Sequence, residues 1–329
     1  MQDYCSIPGL TPDGRWDLRE RLNMAAQAMD HPADALALID LTGAARRDIS
    51  HGELAAMVDG LARYLLSRIQ PGDRVGVLLS QSPWCAAAHL AIWKVGAISV
   101  PLFKLFQHDA LASRAGDAGV RFVLTDPEGA LLLGDLAEAV MVRDAGIDGA
   151  PVPFAATGPE TPAVLIYTSG TTGSPKGALH AHRVLTGHLP GVAISHDHLG
   201  QPSDCIWTPA DWAWIGGLFD VLMPGLALGV PVVAARLDKF TPEACVDLIT
   251  RGDVRNIFFA PTALRMLKAA GKAVPGLRSV ASGGEPLGAE MLAWAQEAFG
   301  LTINEFYGQT ECNMVASSCG VDYPPRPGC

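Results

Sequence analysis

Apolar residues at Leu54, Met57, Val58, Leu61 and Leu65 recur with helical spacing and give out at Pro71-Gly72-Asp73, which predicts an amphipathic helix closed by a turn. A β-rich run over 74–79 follows. Next come a helix opened by Ser82-Pro83 and carried through Trp84 to Ile92, and a short apolar run over 97–100 stopped by Pro101. Together these make a βαβ unit. The rhythm continues with a helix near 109–118, a strand over 121–125, and a weaker helix and strand ending near Val142. The first forty residues are mixed in character and predict no clear element.

The alternation resumes with a strand over 163–167, a polar Gly-rich loop, a helical stretch from about His180, a strand over 205–208, a helix over 218–228 and a strand over 230–234. Three helix–strand pairs close the chain, with helices over 242–251, 261–270 and 286–299 and strands over 256–259, 277–281 and 302–306. Leu287, Met291, Trp294 and Ala298 share one face of the last helix and read as a core stripe. The pattern predicts an α/β fold of mostly parallel sheets flanked by helices. In such a fold the ligand crevice lies beyond the carboxyl ends of the strands, so the loops after strands are the places to search.

With 329 residues, 49% hydrophobic and 18% charged, the chain is neither disordered nor a disulfide-stapled miniature, and its length suits two domains. Residues 149–162 hold four prolines, two glycines and few large apolar groups, which predicts a linker between a first lobe over 1–150 and a second over 151–329. A net charge of −10, spread without like-charge blocks, argues against nucleic acid or an anionic membrane as main partner. The seven cysteines show no C-x-x-C pair and no His/Cys spacing typical of zinc. His180, His182, His188, His196 and His198 therefore read as surface and helix-end residues. With no leader-like start and no apolar run of spanning length, the expectation is a soluble cytoplasmic protein.

One loop after a strand stands out: Tyr167-Thr168-Ser169-Gly170-Thr171-Thr172-Gly173-Ser174-Pro175-Lys176-Gly177. Its glycines let backbone N–H groups turn toward an anion, its hydroxyls add short donors, and Lys176 supplies a flexible charge, as a polyphosphate cradle requires. The spacing is not that of a P-loop, since Gly177 follows the lysine. Downstream, Ser282-Gly283-Gly284-Glu285-Pro286-Leu287 makes a strand-to-helix turn, and Asn304-Glu305-Phe306-Tyr307-Gly308-Gln309-Thr310-Glu311 ends the last strand. No G-x-S-x-G elbow or G-x-G-x-x-G fingerprint is present, which removes hydrolase and dehydrogenase readings.

In this order the three stretches resemble the phosphate loop, the Gly-Glu-Pro turn and the Y-G-x-T-E signature of the adenylate-forming enzymes, which include the AMP-forming acyl-CoA synthetases. The resemblance implies the N-terminal domain of that superfamily and a reaction in which a carboxylic acid and ATP give an acyl-adenylate, then a thioester with CoA. Thr168, Ser169, Gly170, Thr171, Thr172, Gly173 and Lys176 would hold the ATP phosphates. Gly284, Glu285, Pro286, Glu305, Phe306, Tyr307, Gln309 and Thr310 would line the AMP site, with Tyr307 stacked on adenine. Lys176, Thr310 and Glu311 would be catalytic, with Glu311 on Mg²⁺. Core packing is an equal reading for Phe306.

For the acid, Trp214 is expected at the pocket mouth, while Trp207 and Trp212 read as core. Acetate-specific members of the family carry Trp at the place of Gly308. Gly308 therefore implies room for a larger acid, with a medium-chain fatty acid as the expectation. Eighteen residues follow Glu311, so the family's C-terminal lid domain is expected to be absent. That leaves two alternatives: a catalytically incomplete nucleotide-binding chain, or an adenylation domain serving a carrier protein.

Overall fold

The computed structural model describes residues 9–168, 175–274 and 276–326. Fourteen strands are named in chain order: β1 (Leu36–Asp40), β2 (Arg47–Ser50), β3 (Arg74–Leu78), β4 (Ile98–Pro101), β5 (Phe122–Thr125), β6 (Glu138–Met141) and β7 (Pro162–Thr168), then β8 (Lys176–Ala181), β9 (Ile206–Trp207), β10 (Val232–Ala234), β11 (Asn256–Phe259), β12 (Ser279–Gly283), β13 (Ile303–Gln309) and β14 (Asn313–Ser317). They form two sheets, ordered β6-β5-β3-β4-β7-β8 and β14-β13-β12-β11-β9-β10-β1-β2. Pairing is parallel from β6 through β7 and from β13 through β1, and it turns antiparallel at β7–β8 and at β13–β14. The α/β class and mostly parallel sheets match the expectation.

The helices begin where local chemistry starts them. Ser50 and Glu53 form a reciprocal capping box at the head of His51–Leu66. Ser82 caps the Cys85 N–H, with Pro83 in the first turn of Pro83–Lys94. That helix is almost wholly buried, and its last residue, Lys94, pairs with Asp59 at 2.5 Å.

Two compact units result. One takes the described residues up to Ala35 with Ser50–Thr186 and Trp212–Trp214; the other takes Leu36–Ile49, Gly187–Asp211 and Ile215 onward. The division differs from a cut at 150/151 because β7 hydrogen-bonds to β4 and brings β8 with it, so residues 151–186 complete the first sheet. Conversely β1, in the stretch where no element was predicted, pairs with β10 and belongs to the second. Composition sees a linker's residues but not which sheet edge the next strand joins.

Three further differences have local causes. The helix expected from His180 is preceded by strand β8 and starts at Val184, because the chain returns along β7 and its backbone groups are satisfied there. The helix expected from Pro286 starts at Ala289: the Leu287 N–H goes to Glu305 at 3.0 Å, and Gly288 sits at φ +78°, outside the helical region. Among the five clustered histidines, His182, His188 and His196 are buried, against the surface reading. Trp207 and Trp212 are fully buried, as expected of core residues. No described helix is long and apolar enough to cross a membrane.

Candidate nucleotide site

In the first unit, β7 and β8 carry the ends of the phosphate-loop motif. Thr168 and Lys176 are paired across the hairpin, and the Thr168 hydroxyl lies 3.4 Å from the Lys176 carbonyl. Lys176 is exposed, so its ammonium is open to a ligand. Ser169, Gly170, Thr171, Thr172 and Gly173 lie outside the described residues. Near the loop end of the hairpin the Tyr167 hydroxyl donates to Asp117 at 2.6 Å; burial, with the carboxylate's help, pushes the phenol's pKa up and keeps it neutral.

The remaining motif residues converge in the second unit. β12 ends at Gly283 and turns at Gly284, whose φ of +95° a side chain would strain. β13 runs beside it, and the two lay Gly284, Glu285, Pro286, Glu305, Phe306, Tyr307 and Gly308 along one cleft of about 610 Å³. The Glu305 carboxylate accepts the Leu287 N–H at 3.0 Å, so it fixes the path of the Gly-Glu-Pro turn. Its backbone is in turn tied to Ser318, by N–H to Oγ at 2.9 Å and by carbonyl to N–H at 2.9 Å. Glu285 is paired with Arg265 at 2.9 Å, which offsets its charge at the cleft.

Tyr307 is 59% exposed at the cleft, a free aromatic face of the kind a base stacks on. Phe306 is 9% exposed. Its ring lies against Phe258 at 5.3 Å and covers Gly283, where any Cβ would meet it, so Phe306 both packs the core and closes the floor of the cleft. Gln309, Thr310 and Glu311 fall at the β13–β14 turn. Glu311 offers an exposed carboxylate there, and one such hard oxygen fits Mg²⁺, which binds through one or two carboxylates alongside phosphates and retained water.

Several participants escaped the sequence reading. Ser317, Ser318, Pro325 and Arg326 line the same cleft, and Arg326 adds a cation. Asp220, in a π-helical stretch (Leu218–Leu222), is buried and accepts a 2.7 Å hydrogen bond from Asn313, the first residue of β14. Burial raises its pKa to about 7, with the Asn313 bond opposing. A buried carboxylic acid inside an apolar helix was the available signal. Gly308 has a reason beyond pocket space: a Cβ there would lie 2.0 Å from the Asn313 carbonyl oxygen, so the hairpin closes only over glycine. Trp214 belongs to the first unit, in edge contact with Phe103 at 5.5 Å and Phe106 at 5.9 Å.

Comparisons with known proteins identify the family. The family model described as AMP-binding enzyme matches residues 24–329. The acetyl-coenzyme A synthetase of Penicillium chrysogenum is 30% identical over 96% of this chain and 55% of its own length. The Brucella canis acyl-CoA synthetase structure superposes with a TM-score of 0.81 at 29% identity, covering 93% of this chain and 61% of that one. ATP-bound MatB from Rhodopseudomonas palustris gives 0.77 at 27%, covering 93% and 63%. The chain thus spans about half the length of the curated relatives it matches. With its cleft built from the Gly-Glu-Pro turn and the Y-G-x-T-E strand, and with a family match that begins at Met24, the chain belongs to the AMP-binding enzyme family.

Proposed function

We propose that this chain carries the nucleotide-binding part of an AMP-forming acid–thiol ligase, in which ATP and a carboxylic acid give an acyl-adenylate and CoA then takes the acyl group. The observation that carries the reading is the cleft of the second unit, where an exposed Tyr307, the Gly284-Glu285-Pro286 backbone and Arg326 offer a stacking face, base-edge contacts and a cation in one place. Adenine on Tyr307 would direct the phosphates toward Thr310 and Glu311 at the hairpin turn. Lys176 and the Ser/Thr/Gly loop would hold the β- and γ-phosphates, a step that is chiefly one of positioning and charge stabilisation. Mg²⁺, when bound by Glu311, would neutralise phosphate charge.

The acid we propose is larger than acetate, with medium-chain fatty acids first. Acetate is what the names of the curated relatives print. Against it, the Trp that acetate-specific members place at position 308 to close the pocket floor is replaced by Gly308; the Asn313 backbone fills the space at Gly308 itself, so what supports a larger acid is the missing Trp ring and not an opening at the glycine. ATP–pyrophosphate exchange by the purified chain, with acetate, octanoate and benzoate in parallel, tests both levels. Octanoate-dependent exchange above acetate is expected. An acetate preference overturns the acid assignment, and failure to bind ATP in a direct titration overturns the nucleotide site. ATP binding without exchange supports the nucleotide-binding alternative over the ligase.

A further inference from the structure

The fold brings His198 beside Cys319 and Asp322, which lie 121 and 124 positions later in the sequence, all within the second unit. The His198 Nε2 lies 2.7 Å from Asp322 Oδ2, the Cys319 Sγ lies 3.9 Å from the same oxygen, and all three donor atoms fall within 4.8 Å of one another. We propose that His198 Nε2, Cys319 Sγ and Asp322 Oδ2 form a three-ligand site for a zinc-type divalent cation, separate from the nucleotide cleft.

The donor set suits such an ion. Thiolate, neutral imidazole and carboxylate are the three ligand types of Zn²⁺, and together they carry two negative charges against its two positive ones. Zinc bonds of about 2.0–2.3 Å place tetrahedral ligands roughly 3.3–3.7 Å apart. The observed separations lie on both sides of that range, so adjustments on the order of an ångström seat the ion. On binding, the Cys319 thiol gives its proton to solvent and the His198–Asp322 contact opens. His198 and Asp322 are exposed while Cys319 is buried, which leaves the fourth position facing water.

The surroundings hold these groups in place. Cys319 and Tyr323 exchange both backbone hydrogen bonds, at 3.0 and 2.7 Å, so Cys319 and Asp322 are presented by one tight turn. Asp197 and His198 both have positive φ, +50° and +61°, the left-handed region that residues with a side chain rarely adopt. Arg278 pins that loop: it donates to the carbonyls of His196 and Asp197 at 2.9 Å each while paired with the buried Asp204. Asp197 Oδ1 accepts from the Gly320 N–H at 2.7 Å and Asn304 at 2.9 Å, and stands 3.5 Å from Cys319 Sγ as an outer-sphere partner. An ion here would clamp the segment after β14 to the loop after helix Val184–Ser195, behind the hairpin that carries Tyr307.

Titration of the full chain with Co²⁺, followed by absorbance and then by displacement with Zn²⁺, tests the site. The expected result is stoichiometric binding with a thiolate-to-cobalt charge-transfer band. The band should be absent in Cys319→Ser and kept in Cys312→Ser, whose exposed thiol is the control. His198→Ala and Asp322→Asn, both at exposed positions, should each weaken Co²⁺ binding about tenfold or more while leaving metal-free thermal unfolding unchanged. These two variants decide the matter if Cys319→Ser fails to fold. Absence of the band in the wild-type chain, its survival in Cys319→Ser, or unchanged affinity in both His198→Ala and Asp322→Asn overturns the proposal.

Discussion

The Ser/Thr/Gly loop motif and the Y-G-x-T-E motif both sit on antiparallel hairpins at sheet edges, β7–β8 in the first unit and β13–β14 in the second, yet the two are closed by different means. From Leu165–Leu179 to Thr168–Lys176 the first pairs in regular register, and the atoms nearest a Cβ at its small residue, Gly177, belong to the side chains of Leu165 and Tyr167. The second shifts register between Tyr307 and Gly308, folds backbone against backbone at Gly308, and is tied to a buried acid through Asn313. A hairpin at a sheet edge can thus close on side chains that give way or on backbone that cannot. The difference lies in whether backbone or side chain fills the space.

The sharpest test of that difference is Gly308→Ala. Its Cβ would meet the Asn313 carbonyl oxygen at 2.0 Å and carbon at 2.5 Å, and backbone cannot rotate away as a side-chain tip can. The expected cost is about 3 kcal/mol or more, at the upper end of overpacking effects, and a melting temperature lower by on the order of 10 °C. Differential scanning calorimetry checks it. A variant as stable as wild type would mean that the hairpin does not depend on the close approach at Gly308.

The latch beneath the hairpin gives the next largest effect, and it depends on pH. The Asp220 carboxyl ionises near its ordinary 3.8 when unfolded but only at about 7 when folded, so between those values the folded chain holds the extra proton. Its contribution is therefore full below about pH 4 and is lost as pH rises to 7. Asn313→Gly keeps the positive φ of +52° available but removes the donor to Asp220. It should cost about 1–3 kcal/mol at pH 8, where a buried carboxylate is left without its partner, and less at pH 5. Asp220→Asn should flatten the slope between pH 4 and 7. Urea denaturation at both pH values measures each, and a pH-independent loss in Asn313→Gly would contradict the assignment.

This contrast was only half visible in the sequence. The order of strands and helices and the Gly-Glu-Pro and Y-G-x-T-E residues of the cleft were legible, because apolar periodicity and contiguous motifs are local signals. What bends the second hairpin was not. Asp220 and Asn313 are 93 positions apart, Glu305 reaches back to Leu287, and Gly308 read as open pocket where the fold needs room for its own backbone. His198, Cys319 and Asp322 follow the same rule: no spacing announces them, since their proximity is a product of β13, β14 and the loop pinned by Arg278. Likewise β8 was hidden because an edge strand of glycine, alanine and histidine has little apolar pattern of its own.

Tyr307→Ala separates the platform's binding role from its structural one. The ring is 59% exposed, so its removal should leave the melting temperature within about a degree of wild type. Stacking on an aromatic face contributes about 0.5–1.5 kcal/mol, so ATP affinity should fall roughly two- to tenfold, with Tyr307→Phe close to wild type. Isothermal titration with ATP reads both variants. Unchanged affinity in Tyr307→Ala would place the adenine elsewhere than on this strand.

Gly177→Ala is the smallest expected effect and the counterpart of Gly308→Ala. A Cβ at 177 would approach the Leu165 Cδ1 at 2.7 Å, closer than atoms tolerate, but that atom is the end of a rotatable side chain on the facing strand. Leu165 is only partly buried, so its methyl group can turn toward space already open to it. Alanine also loses less conformational freedom than glycine on joining a strand, which offsets part of the adjustment. The net change should lie within about 1 kcal/mol, a shift of a few degrees at most in the same calorimetric scan. Equal losses for the two glycine variants would break the distinction between a hairpin closed by backbone and one closed by side chains.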